Sequence, residues 1–273
     1  MEYSERRPRA ELRSFVEAFW LLTGAGGGAL DPVLPDGRSE LILHRGTPFD
    51  RVPAGGRPSR QSSLLFAGQM RSPVFLSAPD ATDVIGVRFR PCGAAAFLTP
   101  PPGEFLDQVV DVDLVGEAWL TDLMRAAQDA ASADAAIGVI ERGLTARLAD
   151  PPPGFFAASA AVDRLMARRG DAPIEQIAGE TGLSRRQLER VFRDHVGLPP
   201  KQLARILRFQ ATYAALGEPP DWIDVALAHG YADQPHLIRE FRSLAGNSPT
   251  QLLQHAGELT RFFTDAYRRK SLA

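Results

Sequence analysis

The sequence is poor in the residues that build disulfides, metal centres and membrane spans. Its single cysteine, Cys92, excludes an internal disulfide and any zinc site made of several cysteines. No apolar run reaches the roughly 18 residues needed to cross a bilayer. The first residues also lack the apolar core of a secretory signal. The sequence therefore predicts a protein of the reducing cytoplasm, with no membrane partner, no metal and no other cofactor.

The chain also lacks a large excess of charge of either sign. Its 31 basic and 33 acidic side chains give a net charge of −2, which alone does not indicate a nucleic-acid partner. The two halves differ, since residues 1–155 carry 15 basic and 20 acidic side chains and residues 156–273 carry 16 and 13. Because this asymmetry is modest, evidence for DNA binding must come from where the arginines lie.

Residues 1–150 are predicted to form a sensor or dimerisation domain. Between about residues 30 and 112, short runs rich in branched and aromatic residues alternate with turn signals, as at 40–44, 63–66 and 84–90. Such runs predict a small antiparallel β barrel or sandwich. Residues 114–148 carry two apolar stripes with helical spacing, the first beginning at Leu114. These stripes predict a helix pair that packs either against the strands or against a second subunit.

Three consecutive prolines after Asp150 mark the clearest boundary, because they cannot continue a helix. We therefore expect a proline-rich linker at 151–157 and an all-α domain at 158–257. A basic tail, helical or disordered, is expected at 258–273. The predicted fold class of the whole chain is α+β.

Two copies of a degenerate repeat occupy the second of these domains. The first copy contains Ile177-Ala178, Gly182, Leu188, Phe192-Arg193, Gly197 and Pro200-x-Gln202-Leu203, and the second contains Val225-Ala226, Gly230, Leu237, Phe241-Arg242, Gly246 and Pro249-x-Gln251-Leu252. The offset changes from 48 to 49 residues after the first glycine, so the second turn holds one extra residue. An Ala-x3-Gly pattern followed by a basic helix is typical of a helix-turn-helix unit. Two units predict a protein that grips two successive stretches of DNA groove.

In the first copy, residues 184–196 are predicted to form the helix that enters DNA. Gly182 permits a sharp turn, and Ser184 is a suitable N-cap. One face carries apolar residues, whereas the opposite face carries Arg186, Glu189, Arg190 and Arg193. Arginine can bind guanine through O6 and N7, glutamate can accept from cytosine N4, and Arg185 suits a phosphate. A merely solvated face is the alternative, but the matching positions of the arginines in the two copies favour DNA binding.

In the second copy, residues 222–229 predict the supporting helix and Asp233 caps the helix that follows. Pro235, Arg239 and Arg242 are predicted to face outward, with Gln234 at the helix start, where groove contacts usually occur. His236 is expected beside a phosphate or at the surface. It is not expected to bind metal, since its nearest histidine is His229 and no cysteine is close.

Residues 201–216 predict a single helix between the copies. Its length of about 24 Å suits two recognition helices about one DNA turn, roughly 34 Å, apart. Lys201, Arg205 and Arg208 are placed to meet backbone phosphates, with a solvated surface as the competing interpretation.

The segment from Gly230 to Pro249, GYADQPHLIREFRSLAGNSP, closely resembles the signature of the AraC/XylS family of bacterial transcription regulators. The spacing agrees over about residues 158–256. The resemblance implies a module that inserts two helices into adjacent major-groove segments of double-stranded DNA and usually activates transcription, with RNA polymerase as a partner. The base contacts that it implies are Arg186, Glu189, Arg190, Gln234, Pro235 and Arg239. The residues expected on phosphate are Arg185, Arg193, Lys201, Arg205, Arg208, His236 and Arg242.

The two copies are not equal in what they offer to DNA. The first presents three charged side chains at the implied base-contact positions, whereas the second presents glutamine, proline and one arginine. Pro235 leaves only an apolar contact with a thymine methyl. We therefore predict that the first unit supplies more of the sequence specificity and the second more of the positioning.

The N-terminal half resembles the strand-rich sensor halves of such regulators, at 15–20, 34–37 and 89–93. One hypothesis is an effector pocket for a small molecule, lined by Trp20, His44, Arg88 and Arg90. Core aromatics with surface arginines are the other interpretation. A homodimer, and an N-terminal domain that is purely architectural and binds no small molecule, remain open.

The enzymatic alternative is DNA alkylation repair with Cys92 as the alkyl acceptor. Arg88 and Arg90 nearby would lower the pKa of its thiol. A packing role for Cys92 is the favoured interpretation, and the chain is not expected to be an enzyme.

Overall fold

The computed structural model describes residues 1–53, 56–216 and 221–262. Within these ranges the strands are β1 (Glu2–Arg6), β2 (Val16–Gly24), β3 (Leu30–Val33), β4 (Glu40–His44), β5 (Asp50–Arg51), β6 (Ser59–Arg60), β7 (Leu64–Ala67), β8 (Val74–Ser77), β9 (Thr82–Phe89) and β10 (Val109–Asp111). The α-helices are α1 (Ala118–Gln128), α2 (Ala133–Arg147), α3 (Phe155–Ala167), α4 (Ile174–Glu180), α5 (Arg185–His195), α6 (Pro200–Ala215), α7 (Trp222–Ala228), α8 (Gln234–Ala245) and α9 (Pro249–His255).

The strands form two antiparallel sheets. One has six strands in the order β1-β2-β9-β4-β7-β10, and the other has four in the order β3-β8-β5-β6. The predicted α+β class, with antiparallel strands first and helices after them, is confirmed, although the described strands do not close into a barrel. Strands β1 and β2 lie before the region predicted to hold strands. Strand β2 was missed because it runs inside the six-stranded sheet, where an almost continuous apolar sequence replaces the alternation of a half-exposed strand.

Strand β4 shows how the six-stranded sheet faces two different environments. Leu41 and Leu43 are buried in the core that the sheet shares with the helices. Glu40, Ile42 and His44, on the other face, line a cavity towards the four-stranded sheet. Successive side chains of a strand point to opposite faces, so one strand serves both environments.

Helices α1 and α2 form the predicted pair, but α1 begins at Ala118. Leu120 and Met124 of α1 and Ile140 and Leu144 of α2 are buried within the chain, so these stripes are covered without a second subunit. Leu114 does not belong to the first stripe. It lies in a short 3-10 turn and is 72% exposed.

The core runs without interruption from the strands into the C-terminal helices. Helix α3 begins at Phe155, inside the segment predicted as a linker, and the ring centroid of Phe155 lies 5.3 Å from that of Phe15. At the other end, residues 258–262 are helical, and the Asp31 carboxylate accepts hydrogen bonds from the backbone N–H groups of Leu259 and Thr260 at the start of this turn. The rest of the predicted basic tail, residues 263–273, lies outside the described residues.

Candidate nucleic-acid interface

The first helix-turn-helix unit consists of α4 and α5. Gly182 between them has a φ of +69°, a left-handed conformation that glycine adopts without strain. Ser184 caps α5 in a capping box, in which its hydroxyl accepts from the Gln187 N–H and the Gln187 side chain accepts from the Ser184 N–H. This local sequence fixes where α5 begins.

Helix α5 is divided between a buried face and an exposed face. Leu188, Val191, Phe192 and His195 are buried, and Arg186, Glu189, Arg190 and Arg193 are exposed. Arg186 and Arg190 form no hydrogen bond or ion pair with any residue that the structure describes. Glu189 instead pairs with Arg185, which also pairs with Glu175. The two uncommitted guanidinium groups are therefore the most available for an external partner.

The second unit, α7 and α8, repeats this geometry. Gly230 has a φ of +70°, and the Asp233 carboxylate accepts from the His236 N–H at the start of α8. Its cap follows the glycine by three residues, against two in the first unit, which locates the extra residue in the turn. Arg239 and Arg242 are exposed and are unpaired within the described parts of the chain.

His236 and Gln234 lie at the start of α8 and are half-buried. His236 accepts a hydrogen bond from the Ala232 N–H through Nδ1, and its ring meets that of Tyr231 edge-on. The ring therefore supports the turn. Pro235, beside it, is exposed.

Arg193 pairs with its neighbour Asp194 at 3.1 Å, and the two arginines of α6 that were expected on phosphate are engaged inside the domain. Arg205 of α6 forms a forked ion pair with Glu240 of α8, with N···O distances of 2.9–3.1 Å. Arg208 donates to the Gly230 carbonyl at 3.1 Å, and its guanidinium lies 5.0 Å from the centre of the Tyr231 ring. These contacts orient the second unit on α6. Lys201 is exposed.

Residues of the N-terminal half contact the C-terminal ends of both recognition helices, which sequence reasoning did not find. The buried Gln69 amide donates to the Val196 carbonyl at 2.9 Å, at the end of α5. A Cβ on Gly197 would lie 2.9 Å from the Pro102 carbonyl carbon, and one on Gly246 would lie 3.5 Å from the Phe75 ring. The charged N-terminal parts of α5 and α8 stay clear of these contacts. No local pattern in the sequence signals such long-range packing.

Three of the four residues considered for an effector pocket share one cavity between the two sheets. Trp20, His44 and Arg88 line it. The Trp20 indole lies over Gly86, where a Cβ would fall 1.9 Å from the ring. Arg90 lies outside the cavity and forms an ion pair with Asp163 of α3.

A cluster of paired charges forms one end of this cavity. Arg88 pairs with Glu40 at 2.8 Å and with Glu5 at 2.9 Å, and Arg38 pairs with Glu17 at 2.5 Å and with Asp36 at 3.9 Å. Burial raises the pKa of Glu40, against the attraction of Arg88. Burial acts to lower the pKa of Arg88, but Glu40 and other anionic neighbours raise it well above its usual value. Arg88 therefore stays charged.

His44 lies at the opposite end and is 2% exposed. Neither ring nitrogen has a hydrogen-bond partner among the described residues. Burial lowers the pKa of His44 to about 4; the neighbouring Gln61 side chain opposes this shift but does not reach hydrogen-bond geometry with either ring nitrogen. The ring is therefore neutral at pH 7.

Cys92 is buried, and burial followed by the charge of Asp163 raises the pKa of its thiol. Arg90 opposes this shift only weakly, so the expected lowering is wrong. A buried thiol with a raised pKa is a poor nucleophile. Among the described residues, no group of three or more His, Cys, Asp or Glu side chains is arranged to hold a metal ion. None of the described helices has the length and apolar character of a membrane span.

Solved structures resemble the chain only distantly. An apo variant of ToxT from Vibrio cholerae aligns with 12% identity and a TM-score of 0.45, covering 92% of this chain and 100% of its own. ToxT with a bound unsaturated fatty acid aligns with 11% identity and a TM-score of 0.41, covering 87% and 98%. The AraC-like transcriptional activator CuxR aligns with 16% identity and a TM-score of 0.26, covering 78% and 86%. These likenesses are too weak to carry a functional argument, and no curated protein matches the chain.

Two family models match separate parts of the chain. Residues 4–111 match a domain of unknown function (DUF6597), and residues 177–255 match a helix-turn-helix domain. The second match spans α5, α6, α7 and α8, the elements that carry both recognition helices and the arginines described above. Residues 177–255 therefore form an AraC-type helix-turn-helix domain, the kind of domain with which transcription regulators bind DNA.

Proposed function

We propose that the chain binds a specific double-stranded DNA sequence by inserting α5 and α8 into two successive major-groove segments. The observation that carries this proposal is the pair of matched units, each with a left-handed glycine turn, a capped helix and exposed arginines at equivalent positions. Bound to a promoter, the protein acts as an activator that recruits RNA polymerase.

The contacts divide into those that read bases and those that hold phosphates. Arg186 and Arg190 read bases from α5, and Arg239 does so from α8, because each is exposed and free of intramolecular partners within the described chain. The exposed cations Arg193, Lys201 and Arg242 hold phosphates, which fixes the register of the protein on DNA. Arg205 and Arg208 act indirectly by holding the second unit in place.

The decisive experiment selects a binding sequence from random DNA and then measures affinity for it. We expect Arg190→Ala and Arg239→Ala each to weaken specific binding by about 1–3 kcal/mol, roughly tenfold to a hundredfold. Arg142→Ala, an exposed helical arginine in α2, is the matched control and should bind as the wild type does. If both test variants bind the selected DNA sequence as tightly as the wild type does, the proposal is wrong.

Base preference and salt dependence separate the two kinds of contact. Arg186→Ala and Arg190→Ala should relax the preferred sequence more than Arg239→Ala does, because the first unit carries more exposed readers. Lys201→Ala should instead weaken binding to all sequences and reduce the slope of log affinity against log salt by about 1. A stronger loss of preference in Arg239→Ala would contradict this division of labour.

A further inference from the structure

The cavity between the two sheets has a volume of about 100 Å³ and mostly apolar walls. Ile42 and Val84 come from the six-stranded sheet, and Val74 and Leu76 come from the four-stranded sheet. An apolar cavity of about 150 Å³ is large enough to hold benzene. A volume of this order suits a single compact molecule of about five to seven non-hydrogen atoms.

The polar groups of the cavity are unequally satisfied. At one end, Asp36, Glu40 and Arg88 engage one another or the charges behind them. At the other end, both nitrogens of His44 are buried without a hydrogen-bond partner among the described residues. Buried polar groups nearly always have partners, because an unsatisfied one costs about 1–3 kcal/mol. His44 is therefore the place where a ligand gains a hydrogen bond.

The charges around the cavity also select the ligand. Two guanidinium groups, Arg38 and Arg88, face four carboxyl groups, Glu5, Glu17, Asp36 and Glu40. An anion would find both guanidinium groups already paired with carboxyl groups, and His44, neutral at pH 7, would offer it no positive charge. A cation would have to be desolvated against the apolar walls. An uncharged molecule meets neither penalty.

The cavity walls are continuous with the contacts that hold the DNA-binding helices. Gly68 and Met70 line the cavity, and Gln69 between them donates to the end of α5. Pro35 lines it as well, and its carbonyl accepts from Gln210 of α6 at 2.6 Å.

Strand β8 repeats this arrangement at the second recognition helix. Val74 and Leu76 face the cavity, while Phe75 between them lies against Gly246 at the end of α8. The residues that contact α5, α6 and α8 thus either line the cavity themselves or lie next to a residue that does.

We propose that this cavity binds one small, uncharged, largely apolar molecule whose single hydrogen-bonding group faces His44. Its occupancy adjusts the relative positions of α5 and α8 through Gln69, Pro35 and Phe75. This second step rests on the proposed DNA-binding function, whereas the binding step does not.

The test uses the full chain and three probes of similar size: cyclopentanol, cyclopentane and the anion isobutyrate. Isothermal titration and thermal melting, both without DNA, should show saturable binding of cyclopentanol. We expect cyclopentane to bind about tenfold more weakly, the cost of a buried hydrogen bond left unmade, and isobutyrate to give no saturable signal. Equal or tighter binding of isobutyrate, or no saturable binding of any probe, overturns the proposal.

Three variants test whether the probes bind in this cavity. His44→Leu loses no hydrogen bond within the described chain, so it should fold and should bind cyclopentanol and cyclopentane equally. Ile42→Phe fills the cavity and should bind neither probe. His195→Leu changes another buried histidine outside the cavity and should keep the wild-type preference. A preference for cyclopentanol that survives in both His44→Leu and Ile42→Phe places the probe elsewhere and rules the site out.

DNA binding is then measured with and without saturating cyclopentanol. We expect the affinity of the wild type for its selected sequence to change by at least about threefold, and that of Ile42→Phe to stay constant. If cyclopentanol does not change the affinity of the wild type for DNA, the proposed effect of the ligand on α5 and α8 is wrong, whereas the proposed ligand site still stands. If Arg190→Ala and Arg239→Ala both bind DNA normally, the proposed function fails independently of the probe data.

Discussion

At the scale of single residues, His44 is the clearest case of a side chain that stability alone does not explain. It is a buried polar group without a hydrogen-bond partner in the described chain, and it lies in a cavity that packing could have filled. In a protein selected only for stability, an apolar residue would suit this position better.

Replacing His44 should therefore stabilise the protein. We expect His44→Leu to raise the free energy of unfolding by about 1 kcal/mol at pH 7, because no hydrogen bond is lost and a buried polar group is removed. Urea denaturation measures the change. His195→Leu is the matched control and should be destabilised, because the His195 Nε2 contact with the Pro153 carbonyl at 3.0 Å is lost. A loss of stability in His44→Leu would mean that the ring forms a stabilising hydrogen bond, with the neighbouring Gln61 side chain as the candidate partner.

The same residue makes stability depend on pH. Burial lowers the pKa of His44 from 6.5 to about 4, so between these values only the unfolded chain holds the proton. The contribution of the neutral ring is complete above pH 6.5 and is lost as the pH falls towards 4. We expect the stability advantage of His44→Leu to grow over this range, by up to about 3 kcal/mol. Comparison with the variant cancels the opposite influence of Asp36 and Glu40, whose pKa values are raised.

At the scale of elements, the second recognition helix depends on the connecting helix. Glu240 of α8 is largely buried where it meets Arg205 of α6, so removing one partner leaves the other partly desolvated and unpaired.

A double-mutant cycle measures this connection. Glu240→Gln and Arg205→Met should each lower the free energy of unfolding by about 1–2 kcal/mol, and the double variant should lose less than their sum. DNA affinity should fall with Glu240→Gln although Glu240 does not face DNA. Strict additivity in the cycle would show that the two side chains do not depend on each other.

The elements that sequence patterns could predict are those with strong local signals. The glycine turns, the caps Ser184 and Asp233, and the buried and exposed faces of α5 all follow from spacing over a few residues. Strand β2 and the engagement of Arg205 and Arg208 could not be predicted in this way. The pairing of β2 with β9 and the contacts of Arg205 with Glu240 and of Arg208 with Gly230 each span 22 residues or more, and a single sequence carries no signal for such pairing.

At the scale of the whole molecule, one continuous hydrophobic core joins the strand-rich N-terminal half to the helical C-terminal half. Phe15 and Phe105 from the N-terminal half share one apolar cluster with Phe155, Phe192 and Leu203 from the C-terminal half. The prolines after Asp150 mark a change in secondary structure without interrupting this cluster.

The full chain should therefore unfold in one transition, with coincident loss of far-UV and near-UV circular dichroism signals on heating. Fragments 1–150 and 156–273 should each expose apolar surface and bind a hydrophobic dye, because each lacks half of the shared cluster. Two separate transitions in the full chain, or a fragment as stable as the whole, would contradict this expectation.

The two ends of each recognition helix can change independently of each other. In α5 and α8 the side chains that face outward near the start make few contacts with the fold, whereas the glycines just beyond the ends, Gly197 and Gly246, are fitted against Pro102 and Phe75. Substitutions at 186, 189, 190 and 239 therefore cost the fold little. By the proposed function, substitutions there change the preferred DNA sequence, while the far ends keep both helices in their present positions.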